Sequence, residues 1–199
     1  MLPALRYATM ALGLATAQQA CSEVSQVADD AFEIRHHAAV SKDAAAAFAA
    51  TTAVARWWHP DHTWSGDATH LSLDARAGGC FCESWEDGSV EHLRVLYVQP
   101  DRLLRLGGAL GPLQGMNLLG TMAFRYSERE DGGTDVDVSY RVSGDSLHRL
   151  RDLAPVVDQI LGLQFARLHR FIESGRPDAP TNAEAPASPE PADAAAVDS

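Results

Sequence analysis

Residues 118–143, LLGTMAFRYSEREDGGTDVDVSYRVS, decide the fold that this chain is expected to adopt. Over residues 136–142 every second residue is apolar and the residues between them are polar, and the same alternation occurs over 122–126. A period of two is typical of a strand that covers a core with one face and meets water with the other. Because two glycines at 132–133 separate the halves, the stretch predicts a β-hairpin.

Short apolar segments of the same kind precede this hairpin, and turn signals rich in Gly, Pro and Asp separate them. One further strand is expected before them. The predicted strands span residues 32–40, 69–75, 80–86, 90–98, 102–107, 118–128 and 134–143. Strands that follow one another through tight turns predict an antiparallel meander.

Two short helices are expected between the first strand and the meander. Ser41 is placed to cap a helix over residues 42–50. A second helix over residues 52–58 should end before Pro60, because the residue that precedes a proline avoids the helical conformation.

A long amphipathic helix is expected at the end of the domain, since apolar residues recur there every three or four positions. Its main body spans residues 155–173, with Pro155 in the first turn and residues 146–153 as a looser leading turn. Gly175 is a typical helix stop.

Together these elements predict an α+β fold, in which a curved antiparallel sheet of about seven strands wraps around a long C-terminal helix. A curved sheet that grips one helix does not bring every side chain into contact. The arrangement therefore predicts an apolar cavity between the sheet and the helix.

The two ends of the chain differ from this central domain, which we place at residues 32–175. Residues 1–17 have one positive charge, a short apolar run and a small-x-small pattern, which predicts a cleaved signal peptide and a periplasmic or secreted protein. An ordinary amphipathic N-terminus and lipidation at Cys21 are the alternatives. Residues 18–31 are interpreted as a linker, and residues 176–199, rich in Ala, Pro and acidic residues, as a disordered tail.

Charge and composition exclude several classes of partner and cofactor. The formal net charge is −11, which would repel the phosphates of a nucleic acid. The N-terminal apolar run is too short for a stable membrane span. The sequence has no glycine-rich phosphate loop and no nucleophile elbow, so no cofactor is expected. It identifies no protein partner.

Several motifs resemble those of the SRPBCC superfamily, whose fold is the helix-grip fold of START and Bet v 1-like domains. They are Ala-Arg-Trp-Trp at 55–58, Arg-Ala-Gly-Gly at 76–79 followed by Trp85, and Val-Leu-Tyr-Val-Gln-Pro-Asp-Arg-Leu at 95–103. Within the superfamily, the chain resembles the branch that includes the C-terminal domain of activators of the Hsp90 ATPase and polyketide cyclase-like proteins. The resemblance implies the fold and leaves the function open, because the superfamily includes lipid carriers, cyclases, receptors and co-chaperone domains.

The residues expected to line the cavity are mostly aromatic. His92 and His59 are candidates for acid–base catalysis, whereas the alternative interpretation makes His92 a core or surface residue and His59 a solvated loop residue. The glycine-rich loop 107–115 is interpreted either as a flap over the cavity or as a plain connector. The expected cavity residues are Trp57, Trp58, Trp64, Phe81, Trp85, His92, Met122, Phe124, Tyr140, Ile160 and Phe165.

Cys80, Cys82 and His92 form the one candidate metal site. Zinc sites usually separate paired cysteines by two to four residues at a turn, whereas one residue within a strand separates this pair. We therefore expect no metal. A disulfide between Cys80 and Cys82 is possible in principle but is not predicted, because a bridge along a strand would be strained.

The leading hypothesis is an exported protein that binds an apolar or amphipathic small molecule. The alternative is a cyclase- or hydratase-type enzyme that uses His92 as acid or base. A protein-interaction module related to Hsp90 co-chaperone domains is the third hypothesis, and export would argue against it because the Hsp90 cycle is intracellular.

Overall fold

The fold is taken from a computed structural model, which describes residues 21–179, with side chains from residue 24 onward. The elements are eight strands and two α-helices, joined by short 3-10 turns. They are β1 (Cys21–Val27), β2 (Ala31–Val40), α1 (Ala44–Thr52), β3 (Leu71–Leu73), β4 (Cys80–Trp85), β5 (Gly88–Gln99), β6 (Leu103–Gly107), β7 (Leu119–Glu128), β8 (Thr134–Ser143) and α2 (Leu150–Ser174).

All eight strands form one antiparallel sheet in the order β1-β2-β8-β7-β6-β5-β4-β3. The meander from β3 to β8 follows the sequence, and β2 returns to pair with β8 along its whole length. Register shifts in the β1–β2, β4–β5 and β5–β6 pairs mark bulges, which bend a sheet. The predicted α+β helix-grip fold is confirmed, with eight strands instead of about seven.

Helix α2 lies against one face of this sheet and contacts β1 and β2. Its buried apolar residues include Leu161, Leu168 and Phe171, which join the core formed by the inward residues of the strands. The alternation that predicted the hairpin is observed, since Val136, Val138, Tyr140 and Val142 are all buried. None of the described helices combines the length and the apolar character that crossing a membrane requires.

The first helix begins later than predicted. Asp43 is its N-cap, because its Oδ1 accepts a hydrogen bond of 2.8 Å from the Ala46 N–H. Ser41 instead binds the end of α2, where its N–H donates to Glu173 at 2.6 Å. The predicted helix over 52–58 is only the 3-10 turn Val54–Arg56.

Helix α2 begins at Leu150, before the predicted main body, and continues through Pro155. Proline removes one backbone donor, and it is tolerated close to a helix N-terminus because few helical hydrogen bonds exist there. The helix ends before Gly175, which has a positive φ of 74° as predicted for a helix stop.

The structure adds residues to the predicted domain at both of its ends. Residues Cys21–Val27 were interpreted as part of a linker, but they form the edge strand β1. At the other end, the first residues of the predicted disordered tail contact α2: Arg170 Nε donates to the Pro177 carbonyl at 2.7 Å, and Arg167 pairs with Asp178. The proposed signal peptide lies outside the described residues.

Candidate ligand cavity

A cavity of about 460 Å³ lies between the N-terminal half of α2, the segment 58–64 and the loop 110–116. Its volume is in the range of small-molecule sites, and its wall is predominantly apolar. The residues that line it are Trp58, Asp61, His62, Thr63, Trp64, His92, Leu110, Gly111, Pro112, Leu113, Met116, Leu153, Val156, Val157, Ile160 and Leu161.

The segment 58–64 is held in place from the helix side by two side chains of α2. Gln164 Oε1 accepts a hydrogen bond of 2.9 Å from the His59 N–H, and Arg167 Nε donates to the Trp57 carbonyl at 2.8 Å. Both side chains are buried. The Arg167 bond is charge-assisted and the Gln164 bond joins neutral groups, and together they attach one wall of the cavity to the other.

The loop 110–116 is also anchored. Its 3-10 turn, Gly111–Met116, follows Leu110, whose N–H donates a hydrogen bond of 2.9 Å to the Tyr140 hydroxyl. Gln114 Nε2 donates to the Glu91 carbonyl at 2.6 Å. Leu113 is buried and contributes to the core. The glycine-rich segment therefore forms a wall of the cavity that is hydrogen-bonded to β5 and β8.

A β-bulge turns His92 into the cavity. Phe81 pairs with Leu93 and Cys82 pairs with Glu91, which leaves His92 as the extra residue of β5. In a regular strand neighbouring side chains point to opposite faces, yet His92 and Leu93 are both buried. Bulges re-aim side chains in this way, often beside functional sites.

The inward imidazole meets a fully buried carboxylate. His92 Nε2 lies 3.0 Å from Glu83 Oε2. The same carboxylate accepts hydrogen bonds from the N–H groups of Trp64, at 3.0 Å, and Ser65, at 2.5 Å. Glu83 thus joins β4 to the far end of the segment 58–64, and all three donors point at one acidic group.

The protonation states follow from these contacts. Burial raises the pKa of the Glu83 carboxyl, but the hydrogen bonds from Ser65, Trp64 and His92 outweigh burial and hold its pKa below the usual range. Burial lowers the pKa of His92 in spite of the neighbouring carboxylate. The pair is therefore a carboxylate beside a neutral imidazole.

The carboxylate also selects the tautomer of His92. An ionised carboxylate can only accept, so Nε2 must carry the hydrogen, and Nδ1 retains a lone pair. Within residues 24–179, no hydrogen-bond partner of Nδ1 is found. One acceptor is thus free on a side chain that lines an otherwise apolar cavity.

The structure brings four of the expected cavity residues to this wall: Trp58, Trp64, His92 and Ile160. Four others lie deeper. Trp57, Phe81, Met122 and Phe124 surround a void of about 20 Å³, which is too small for a ligand, and all are buried in the core. They do not line the cavity because the segment 51–58 packs closely against the sheet there.

The remaining expected cavity residues also lie elsewhere. Tyr140 is buried and binds the loop through its hydroxyl, and burial raises its pKa to about 12. Phe165 faces a separate space of about 160 Å³ between β2, β8 and α2. Trp85 lies at the end of the β4–β5 hairpin, where its ring covers Gly88.

The other polar candidates are accounted for locally. His59 Nδ1 accepts a hydrogen bond of 3.2 Å from the Asp61 N–H and so caps a 3-10 turn, which places it outside the cavity wall. Cys80 and Cys82 are disulfide-bonded, contrary to expectation. The proposed metal group with His92 does not form, because His92 points to the opposite face and Glu91 is the neighbour of the two cysteines.

Glu83 is the buried polar residue of this site that the sequence patterns did not indicate. A usable signal existed, because Glu83 follows Phe81 by two positions and so shares its inward face. The partner could not be inferred, since regular alternation does not place His92 and Leu93 on the same face. The apolar contributors from α2, such as Leu153 and Val157, were identified only as helix-face residues.

Comparison with solved structures shows proteins of similar fold. One is a conserved protein of unknown function, EF2215 from Enterococcus faecalis, with a TM-score of 0.54 and 10% identity over 83% of both chains. A protein of unknown function from Staphylococcus aureus, SA2116, has a TM-score of 0.53 and 15% identity over 73% of this chain and 96% of its own. CalU16 from Micromonospora echinospora, solved by solution NMR, has a TM-score of 0.50 and 17% identity over 90% of this chain and 89% of its own.

At these identities the likeness extends to the fold alone. No protein-family model matches the chain, and no curated protein sequence matches it. The function is therefore argued from the cavity itself.

Proposed function

We propose that this protein binds a neutral, largely apolar small molecule that carries a hydroxyl group, in the cavity beneath the N-terminal half of α2. The observation that carries the proposal is that His92, whose Nδ1 has no hydrogen-bond partner among residues 24–179, lines a 460 Å³ apolar cavity. A hydrogen-bond acceptor without a partner in such a site is satisfied when a ligand donates to it.

The charges around the cavity favour a neutral ligand. Glu83 is ionised next to His92, and Asp61 lies at the wall. Among the described residues that line the cavity, none is Lys or Arg. A carboxylate or phosphate ligand would meet negative charge without a cation to balance it. An aromatic or alicyclic alcohol fits both the apolar wall and the single acceptor.

The test compares 2-naphthol with 2-methoxynaphthalene, which has a similar shape but no donor. Titration should show that 2-naphthol binds about threefold to tenfold more tightly, because one net hydrogen bond contributes about 0.5–1.5 kcal/mol. In His92→Phe the preference should disappear. Equal affinities in the wild-type protein would contradict the role of Nδ1.

A second pair of variants tests the place of binding. Ile160→Trp should fill the cavity and abolish the binding of both compounds. Leu163→Trp is the matched control, since Leu163 is on the same helix, is 39% exposed and does not line the cavity. Binding that survives Ile160→Trp would mean that the probes occupy another site.

Acid–base catalysis is a second candidate function, and the His92–Glu83 pair is the observation that favours it. A carboxylate that orients a neutral imidazole leaves the other nitrogen free to take up a proton, as in hydrolytic triads. This would correspond to the cyclase- or hydratase-type hypothesis. The co-chaperone hypothesis stays a prediction.

The catalytic candidate is tested with p-nitrophenyl butyrate, an apolar ester whose hydrolysis imidazole can catalyse. A basic His92 predicts hydrolysis faster than that by the same concentration of free imidazole, lost in His92→Gln and retained in His59→Gln. If the wild-type rate does not exceed that of imidazole, the catalytic candidate fails while the binding proposal stands.

A further inference from the structure

The Cys80–Cys82 pair lies on the outer face of the sheet, away from the cavity. The two cysteines are separated by one residue on β4, are half-buried and are disulfide-bonded. Phe81 between them points inward and is buried, with its ring 5.0 Å from the ring of His92 and 5.5 Å from that of Trp58. The disulfide therefore brackets a residue that supports the cavity wall.

Stabilisation of the fold gives little reason for this bond. The gain in stability from a disulfide increases with the size of the loop that it closes, and this loop contains only three residues. The same residues are already held by pairing with β3 on one side and β5 on the other. A bond that is half-exposed and adds little to folding is of the type that exchanges with other thiols.

The disulfide is also coupled to the geometry of β4 and β5. Its Cα atoms are 5.3 Å apart, whereas residues two positions apart in a regular strand are separated by roughly 6.6 Å. β4 is therefore shortened at this point, and the bulge of β5 that turns His92 inward lies directly opposite, between Glu91 and Leu93. A change in the length of β4 at this point therefore acts on the register in which His92 is the extra residue.

We infer that Cys80 and Cys82 form a redox-active pair, which exchanges with low-molecular-weight thiols and changes the position of His92 when it is reduced. The thiolate of an external thiol attacks one sulfur, and the other cysteine leaves as a thiolate. A second thiol then attacks the mixed disulfide. The protein gains two electrons and two protons, and the two external thiols leave as one disulfide.

Reduction would release β4 from its shortened form. As Cys80 and Cys82 move apart, the register opposite His92 changes, and with it the contact between Phe81 and the imidazole. Neither step requires a ligand, so the inference can be tested independently of the proposed function.

The exchange is tested in the Cys21→Ser variant, which removes the third cysteine. The folded protein is equilibrated with mixtures of reduced and oxidised glutathione, alkylated and weighed by mass spectrometry. Two thiols should appear together as the ratio of reduced to oxidised glutathione is raised, and both should disappear when the ratio is lowered again. If the bond resists excess glutathione until denaturant is added, or if no bond forms, the redox inference is overturned.

The coupling is tested by recording the imidazole ¹H–¹³C resonances under the same conditions. The His92 signal, assigned by its loss in His92→Gln, should shift between the oxidised and reduced forms. In Cys80→Ala/Cys82→Ala it should keep one position in all mixtures, close to that of the reduced form. Circular dichroism is used to check that this variant is folded. An unchanged His92 signal during complete reduction would overturn the coupling.

Discussion

At the scale of single residues, the environment of Glu83 decides what His92 can do. Glu83 has no exposed surface, and two backbone N–H groups and one imidazole donate to it. This satisfies the carboxylate, fixes the tautomer of His92 and attaches the segment 58–64 to β4. One side chain thus links the chemistry of the cavity to the position of its wall.

Glu83→Gln should destabilise the protein by about 1–3 kcal/mol. The amide has only one oxygen acceptor where the carboxylate has two, so at least one buried N–H loses its hydrogen bond. The measurement is the free energy of unfolding in urea. A free energy unchanged from that of the wild-type protein would show that the buried carboxylate does not organise this site.

The free energy of unfolding should depend on pH through two buried histidines. Burial lowers the pKa of His92, and it lowers that of His36 although His36 Nε2 lies 3.1 Å from Asp158. Between the folded and unfolded pKa values the unfolded chain therefore binds more protons than the folded one. The contribution of neutral, buried histidines to the free energy of unfolding is fully present above the usual histidine pKa of about 6.5, and it is lost as the pH falls toward the lower pKa values of the folded protein.

The corresponding experiment measures urea midpoints between pH 7.5 and 5.5. The wild-type midpoint should fall over this range, and His36→Gln and His92→Gln should each reduce the fall. The two reductions should add in the double variant, because the histidines belong to separate sites. A midpoint independent of pH in this window would contradict the burial argument.

Residue patterns alone predicted part of this site. The sequence identified His92, Trp58 and Trp64 as cavity residues. It could not pair His92 with Glu83, because a bulge changes the face of a residue without changing the composition of the strand. Packing partners such as Trp57 and Met122 were assigned to the cavity because an apolar inward residue looks the same in a core and in a ligand site.

At the scale of elements, the approach of β7 to the loop after β6 fixes the cavity wall. A Cβ at Gly120 would lie 2.1 Å from the Gly108 carbonyl oxygen and 2.9 Å from the Tyr140 hydroxyl, the group that holds Leu110. Neither the backbone carbonyl of Gly108 nor the buried ring of Tyr140 can move away easily.

Gly120→Ala should therefore destabilise the protein by about 1–3 kcal/mol, the usual cost of overpacking. Gly115→Ala is the matched control, because a Cβ there meets no atom within 4 Å. Thermal melts of both variants provide the comparison. Equal melting temperatures would show that the loop can shift without cost.

The elements themselves were predictable where the pattern was long. The hairpin β7–β8 and helix α2 extend over many periods, and their bounds agree with prediction to within a few residues. The bounds of the short elements were predicted less accurately, because single capping residues determine where such elements begin and end. Asp43 rather than Ser41 begins α1, and β1 was missed because CSEVSQV lacks a continuous apolar alternation.

At the scale of the whole molecule, the position of α2 explains why a cavity forms at one end. The C-terminal half of the helix packs against the sheet, with Leu168, Phe171 and Ile172 buried. The N-terminal half is separated from β5 by the segment 58–64 and the loop 110–116. The cavity between sheet and helix was predicted from the order of elements, but its location depends on these two connections.

The central claim is that His92 offers Nδ1 to a ligand while Glu83 holds Nε2. The most direct measurement is the pair of imidazole ¹⁵N chemical shifts of His92 at neutral pH, with and without 2-naphthol. We predict a protonated Nε2, an unprotonated Nδ1, and a shift of the Nδ1 signal on addition of 2-naphthol but not of 2-methoxynaphthalene. A proton on Nδ1, or an Nδ1 signal that saturating 2-naphthol leaves unchanged, would contradict this account.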